Sequence, residues 1–88
     1  MGGQVVPMYY FNVRNGAVFT PDGEGSNHAD LGAAMIDVRE MARDMAIDDL
    51  RQGVRVSDSV IEITDREGLG VGFMRVRDIL DGGLAPAV

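Results

Sequence analysis

Met8-Tyr-Tyr-Phe-Asn-Val-Arg-Asn-Gly16, followed within a few residues by Pro21-Asp-Gly-Glu-Gly25, sets the reading of the whole chain. From Met8 to Arg14 the side chains alternate. Tyr9, Phe11 and Val13 fall on one side of an extended segment and Tyr10, Asn12 and Arg14 on the other, as a half-buried strand requires. Asn15-Gly16 then reads as a two-residue turn, because both residues tolerate positive φ. Ala17-Val-Phe-Thr20 is expected to pair back as a short second strand, stopped by Pro21. Asp22 to Asn27 is rich in Gly, Asp, Ser and Asn and reads as a loop.

Toward the C-terminus, Asp30 is placed to cap a helix, since its carboxylate can accept from the free N–H groups of the first turn. The spacing is helical from Leu31 to about Gln52. Leu31, Met35, Val38, Ala42 and Met45 share one face, flanked by Ala34, Met41 and Ala46. Asp37, Glu40, Asp44, Asp48 and Arg51 lie opposite, and Gly53 supplies a stop. Asp49 falls on the main apolar face, which predicts fraying or a kink before Gly53. Ile36, Ile47 and Leu50 form a second apolar strip, the pattern of a helix that serves two partners. Either another subunit or the C-terminal tail is expected to cover it.

Val60-Ile-Glu-Ile-Thr64 is a strand, Asp65-Arg-Glu-Gly68 a turn, and Leu69 to Arg77 the return strand of a hairpin. Gly70 and Gly72 alternate along that return, which predicts a shared face approached closely by another backbone or a ring. The order is β-β-α-β-β. The expected fold is α+β, a four-stranded antiparallel sheet with one long helix packed on one face. Residues 8–80 are expected to form the domain, with 1–7 and 81–88 as flexible tails.

A chain of 88 residues builds only a thin core. Without cysteine it has no disulfide or zinc ribbon to compensate, which leaves self-association as a route to stability. Fourteen acidic residues against eight arginines and no lysine give a net charge of −6, a field that repels phosphate backbones. No apolar run approaches the ~18–20 residues of a membrane span. Met1 to Pro7 has neither the basic start nor the apolar core of a signal peptide. A cytoplasmic protein with no membrane partner is expected.

Tyr9-Tyr-Phe-Asn-Val-Arg-Asn-Gly16, Asp22-Gly-Glu-Gly25, Asp30-Leu31 at a helix start and Ile61-Glu-Ile-Thr-Asp-Arg-Glu-Gly68 together resemble a group of small bacterial proteins. Its members carry a domain of unknown function with Tyr-Phe-x-x-Arg-x-Gly and Asp-x-Glu-Gly motifs, then a helix and a hairpin. The resemblance covers about residues 8–77 and implies kinship of fold. It brings no activity, cofactor or catalytic residue. It also implies that residues 1–7 are an extension or an upstream start choice, since such proteins usually begin where Met8 stands.

The residues offer little chemistry. There is no Cys, and a nucleophilic pair would need the single histidine, His28, which is expected merely to face solvent. Asp22, Glu24 and Asp30 are the best candidate cation ligands, as a glycine-bent loop can aim several oxygens at one point. Their spacing matches no calcium loop, and Gly23 and Gly25 already explain the segment as a turn. Gly68-Leu-Gly-Val-Gly72 lies inside a hairpin and does not open a helix, so it is no dinucleotide site. No catalytic residue and no cofactor is expected.

Three surfaces remain. The strip Ile36, Ile47 and Leu50 is a candidate protein interface. Tyr10, Asn12 and Arg14, with Arg75 or Arg77 nearby, could stack single-stranded RNA or DNA on an open sheet face; the competing reading pairs Arg14 with a neighbour such as Glu62. The row Asp37, Glu40, Asp44 and Asp48 could mimic a phosphate backbone, or be a solvated face paired with Arg39, Arg43 and Arg51. The expected function is a non-enzymatic protein-interaction or regulatory module that self-associates. The alternatives are a nucleic-acid-related protein and, behind that, a metal-dependent enzyme.

Overall fold

β1 (Met8–Asn15) is the axis of the sheet. The computed structural model describes residues 6–80, so residues 1–5 and 81–88 of the expected tails lie outside the described residues. Gly16 and Ala17 turn the chain, one position later than the expected Asn15-Gly16, because Asn15 stays in β1 opposite Val18 and only Gly16, at φ +62°, takes a positive φ; β2 (Val18–Thr20) returns antiparallel with Val13 opposite Thr20. After a loop the chain rejoins the same edge of β1 as β3 (Ser26–Asn27), with Tyr9 opposite Ser26. On the other edge lies β4 (Val60–Thr64), which pairs antiparallel along most of β1, and β5 (Gly70–Arg75) follows β4. The order is β2-β1-β4-β5, with β3 beside β1, in an open antiparallel sheet of five strands.

Four strands were expected from the sequence, and β3 is the addition. Ser26 and Asn27 have no strand propensity of their own. They are extended because β1 continues past the loop and offers an edge, an instance of tertiary context overriding composition.

α1 (Leu31–Arg51) begins where Asp30 caps it, the carboxylate Oδ1 accepting from Ala33 N–H at 2.8 Å. It ends with Gln52 as C-cap and Gly53 at φ +75°. Gly53 N–H donates to the Leu50 carbonyl and Val54 N–H to the Asp49 carbonyl, a Schellman closure. The helix therefore stays regular past Asp49, contrary to the expected fraying. Asp49 is accommodated because its Oδ2 accepts from Ser57 N–H at 3.0 Å, tying the connector to the last turn.

Ala34, Val38, Ala42 and Ala46 are the buried line of α1, so its centre lies one position from the face read off the sequence. They form one hydrophobic cluster with Tyr9, Val56, Ile61, Ile63, Val76 and Ile79. Leu31, Met35, Met41 and Met45 pack against that cluster from partly exposed positions. Small side chains thus supply the helix's share of the cluster, and the longer Leu and Met side chains lie at its rim.

Two features of the hairpin differ from expectation. The ladder shifts register between Ile63 and Thr64, so that Ile63 faces Gly72 and Thr64 faces Gly70. Neighbouring residues of β4 point to opposite faces, so the two glycines do too. A Cβ on Gly72 would meet Ile63 Cδ1 at 3.4 Å and Met35 Sδ at 3.6 Å, whereas one on Gly70 meets nothing. The return strand also stops at Arg75. The chain then turns, with Ile79 N–H donating to the Val76 carbonyl, and Val76 and Ile79 enter the core.

Ile79, buried at the last turn described, tests whether the core extends past the hairpin. Ile79→Ala is expected to lower the unfolding free energy by about 2–4 kcal/mol, read from urea denaturation. An unchanged midpoint would place this turn outside the cooperative core.

Candidate functional site

Between β2 and β3 the chain leaves the β1 edge, and the backbone N–H of Phe11 loses the carbonyl a continuous ladder would supply. Asp22 replaces it. Its Oδ2 accepts from Phe11 N–H at 3.1 Å, and its Oδ1 accepts from Glu24 N–H at 3.2 Å and Gly25 N–H at 3.1 Å. Asn12 answers from β1, its Oδ1 accepting from Asp22 N–H at 2.9 Å while its Nδ2 donates to the Glu62 carbonyl and Thr64 Oγ1. Partial burial pushes the Asp22 carboxyl upward, but the three backbone N–H donors outweigh it and hold the group below its ordinary pKa.

Gly25 completes the loop. It stands at φ +71°, and a Cβ there would lie 2.7 Å from Tyr10 Cε2 and 3.1 Å from Met8 Sδ. Conformation and space both demand glycine. The segment Asp22–Gly25 thus lies against Tyr10 and Asn12, and Asn12 is buried. Glu24 is exposed, and Asp30 caps α1. The candidate cation ligands are therefore separated by task, and among the described residues no group of three or more His, Asp or Glu could hold a metal ion.

Arg14 Nε donates to Glu62 Oε2 at 2.8 Å, and the guanidinium lies 4.7 Å from the centre of the Phe19 ring. The hydrogen bond and charge of Glu62 raise the Arg14 pKa. Tyr10, Asn12 and Arg14 do share a face, as alternation requires. Arg75 stands opposite Val60, which is itself opposite Arg14, so the two arginines lie two strands apart. Arg77 pairs with Asp58 at 2.7 Å.

His28 differs most from its expected position at the surface. Its side chain is 9% exposed. The ring stacks on Phe11 at 5.4 Å and tilts toward Tyr9 at 6.0 Å. Nε2 lies 2.8 Å from Ser26 Oγ, the donor depending on the ring tautomer, and Nδ1 lies 3.6 Å from Asp37 Oδ2. The order Ser, His, Asp is that of a hydrolase triad. Yet 3.6 Å is too long for a hydrogen bond, so packing on the aromatic rings orients the imidazole. The arrangement clamps β3 to β1 and to the first turns of α1. One signal was available in the sequence: Ser26 and His28 alternate like a strand.

The helix strip stands outside the core, with Ile36 61%, Ile47 38% and Leu50 56% exposed. A shallow recess of about 670 Å³ includes Val13, Val18, Met45, Asp48 and Asp49 in its lining. Its carboxylates are engaged, Asp49 with Ser57 N–H and Asp48 with Gln52 Nε2. Among the described residues no helix is long and apolar enough to cross a membrane.

Residues 8–77 match the family model described as a domain of unknown function, DUF6894, and the chain belongs to that family. No curated protein and no solved structure matches the chain.

Asp22→Ala is expected to lower stability by about 2–3 kcal/mol at neutral pH, since three backbone donors lose a charged acceptor. A depressed folded pKa stabilises fully above the ordinary value of 3.8 and loses that effect as pH falls through the lower folded value. The gap between wild type and Asp22→Ala should therefore narrow on acidification, as read by urea denaturation across a pH series. A gap independent of pH would show that the carboxylate's charge is not what holds the loop. Gly25→Ala should cost about 1–3 kcal/mol through the left-handed backbone, with a further penalty from the Tyr10 clash.

Proposed function

We propose that this member of the family is a small non-enzymatic interaction module that works by self-association, with α1 laid across one face of the sheet. The observation that carries the reading is the distribution of apolar side chains on the helix. Alanine and valine occupy its buried line, while Ile36 and Leu50 are more than half exposed and Ile47 is 38% exposed. A monomer optimised for solution would place its large branched residues inside, where each gains about 1.5–3 kcal/mol on burial. An exposed strip of this kind suits a surface that is covered on association.

The residues with chemical potential support the same reading from the other side. Asp22, Asp30, Asp49 and His28 are each engaged in local structure, which leaves them poorly disposed for acid–base or metal chemistry. The charge of −6 and the neutralisation of Arg14 by Glu62 favour protein over nucleic acid as the partner.

Ile47→Glu tests the strip, because a buried unpaired charge at an interface opposes association strongly. Sedimentation equilibrium is expected to give a smaller assembly than wild type, with circular dichroism unchanged. Wild-type mass retained by this variant would remove the strip as an interface.

A further inference from the structure

β5 ends the strand order, so one side of its backbone has no strand beside it among the described residues. The phase of the ladder fixes which groups face that side. Val76 N–H donates to the Ser59 carbonyl, and alternation along an antiparallel pair then turns Met74 and Gly72 toward β4. Phe73 and Arg75 accordingly direct their amide and carbonyl groups to the open edge. Their side chains project from the face opposite the core, with Phe73 opposite Glu62 and Arg75 opposite Val60. Phe73 is 60% exposed. Among the described residues the Arg75 guanidinium makes no ion pair or hydrogen bond.

A strand edge with open amides, no proline and no lysine is a template for pairing. What sets the occupant here is the spacing of Phe73 and Arg75. Two residues that each offer outward backbone groups, one position apart from a common centre, become mutual partners under a two-fold axis through that centre. With Met74 at the axis, Phe73 of one copy stands opposite Arg75 of the other, and Arg75 opposite Phe73. Both pairs are of the hydrogen-bonded kind, so all the outward amides and carbonyls of the two residues are satisfied. The register also sets each guanidinium beside an aromatic ring. The same chain already uses that arrangement within itself: Arg14 and Phe19 are direct cross-strand neighbours on β1 and β2, at 4.7 Å. An arginine over a ring in such a pair is a favourable contact. The register shift lies at the Gly70 end of β5, and Gly72 to Arg75 is regular.

We propose that β5 is an isologous interface for a second copy of this chain, joined edge to edge in a continuous antiparallel sheet with Phe73 opposite the second copy's Arg75. This deepens the self-association reading and rests on it. Together with a helix strip that also associates, it makes the assembly larger than a dimer. An unrelated peptide strand would gain the backbone bonds but not the reciprocal Arg–Phe pairs, which is why a second copy fits best.

The test is sedimentation equilibrium on the full chain with Phe73→Arg, Arg75→Phe and the double exchange, each checked by circular dichroism. Phe73→Arg sets arginine against arginine and should at least halve the mass of the assembly. The double exchange restores the reciprocal pairs under the same two-fold axis and should return the wild-type mass. Phe73→Arg in an Ile47→Glu background should give the monomer. A wild-type chain that is monomeric at high concentration overturns both this interface and self-association. Wild-type mass retained by Phe73→Arg, in a wild type that does associate, overturns the β5 interface alone. Failure of the double exchange to restore mass overturns the register.

Discussion

The Asp22 carboxylate occupies the place of a missing stretch of strand. Where the chain departs from β1 between Thr20 and Ser26, it accepts the N–H of Phe11 on one oxygen and two loop N–H groups on the other. Phe11 is part of the central strand, and an amide left unsatisfied there would weaken the sheet along its axis. Much else follows from this substitution. The loop is pulled tight enough that Gly25 touches the Tyr10 ring, β3 can rejoin β1, and His28 is delivered onto Phe11 at the mouth of the helix. Asn12 extends the connection across β1 to Glu62 and Thr64 of β4. The short motif around Asp22 and Gly25 is thus accounted for by backbone hydrogen bonding, with no ligand needed to explain it.

The core shows how a chain of this size manages its apolar residues. Its interior is built from small and branched side chains, alanine and valine from α1 and isoleucine from β4. Such a core is thin, and it leaves several larger apolar groups outside: the helix strip, Phe73, Leu69 and Val18. Small domains gain less from burial than large ones, and association is one way to bury more. The exposed groups are not scattered evenly. Those on α1 fall on the side away from its alanine line, and Phe73 stands beside an arginine on a strand with no further strand next to it among the described residues.

Much of the local structure was legible because its causes are local. Asp30 caps α1 and Gly53 closes it as their residue types demand, Gly16 supplies the positive φ of the first hairpin turn although that turn lies one position beyond Asn15-Gly16, and Val60–Thr64 alternates as a strand should. Arg14 found Glu62 because alternation puts both on one face. The misreadings have equally specific causes. β3 is too short and polar to announce itself and exists through its neighbour. Counting in twos puts Gly70 and Gly72 on one face, and the register shift beside Ile63 breaks that count. His28 looked solvated because it precedes a cap, while its real environment comes from Phe11 and Tyr9 seventeen and nineteen positions earlier. Asp49 breaks the apolar face of the helix in the sequence, and its partner, Ser57 N–H, comes from the connector beyond the helix end.

Periodicity, turn chemistry and caps in the sequence alone determined one helix and two hairpins, α+β class, and the absence of a cysteine or a second histidine for nucleophilic chemistry. These are properties of neighbouring residues, and the backbone enforces them over a few bonds. Only the tertiary structure decided what the carboxylates and the histidine do, which helix residues are central, which glycine meets the core, and which side of β5 stands open. Each of those depends on a partner distant in sequence, and a hydrogen bond or a packed ring is defined by where both partners lie.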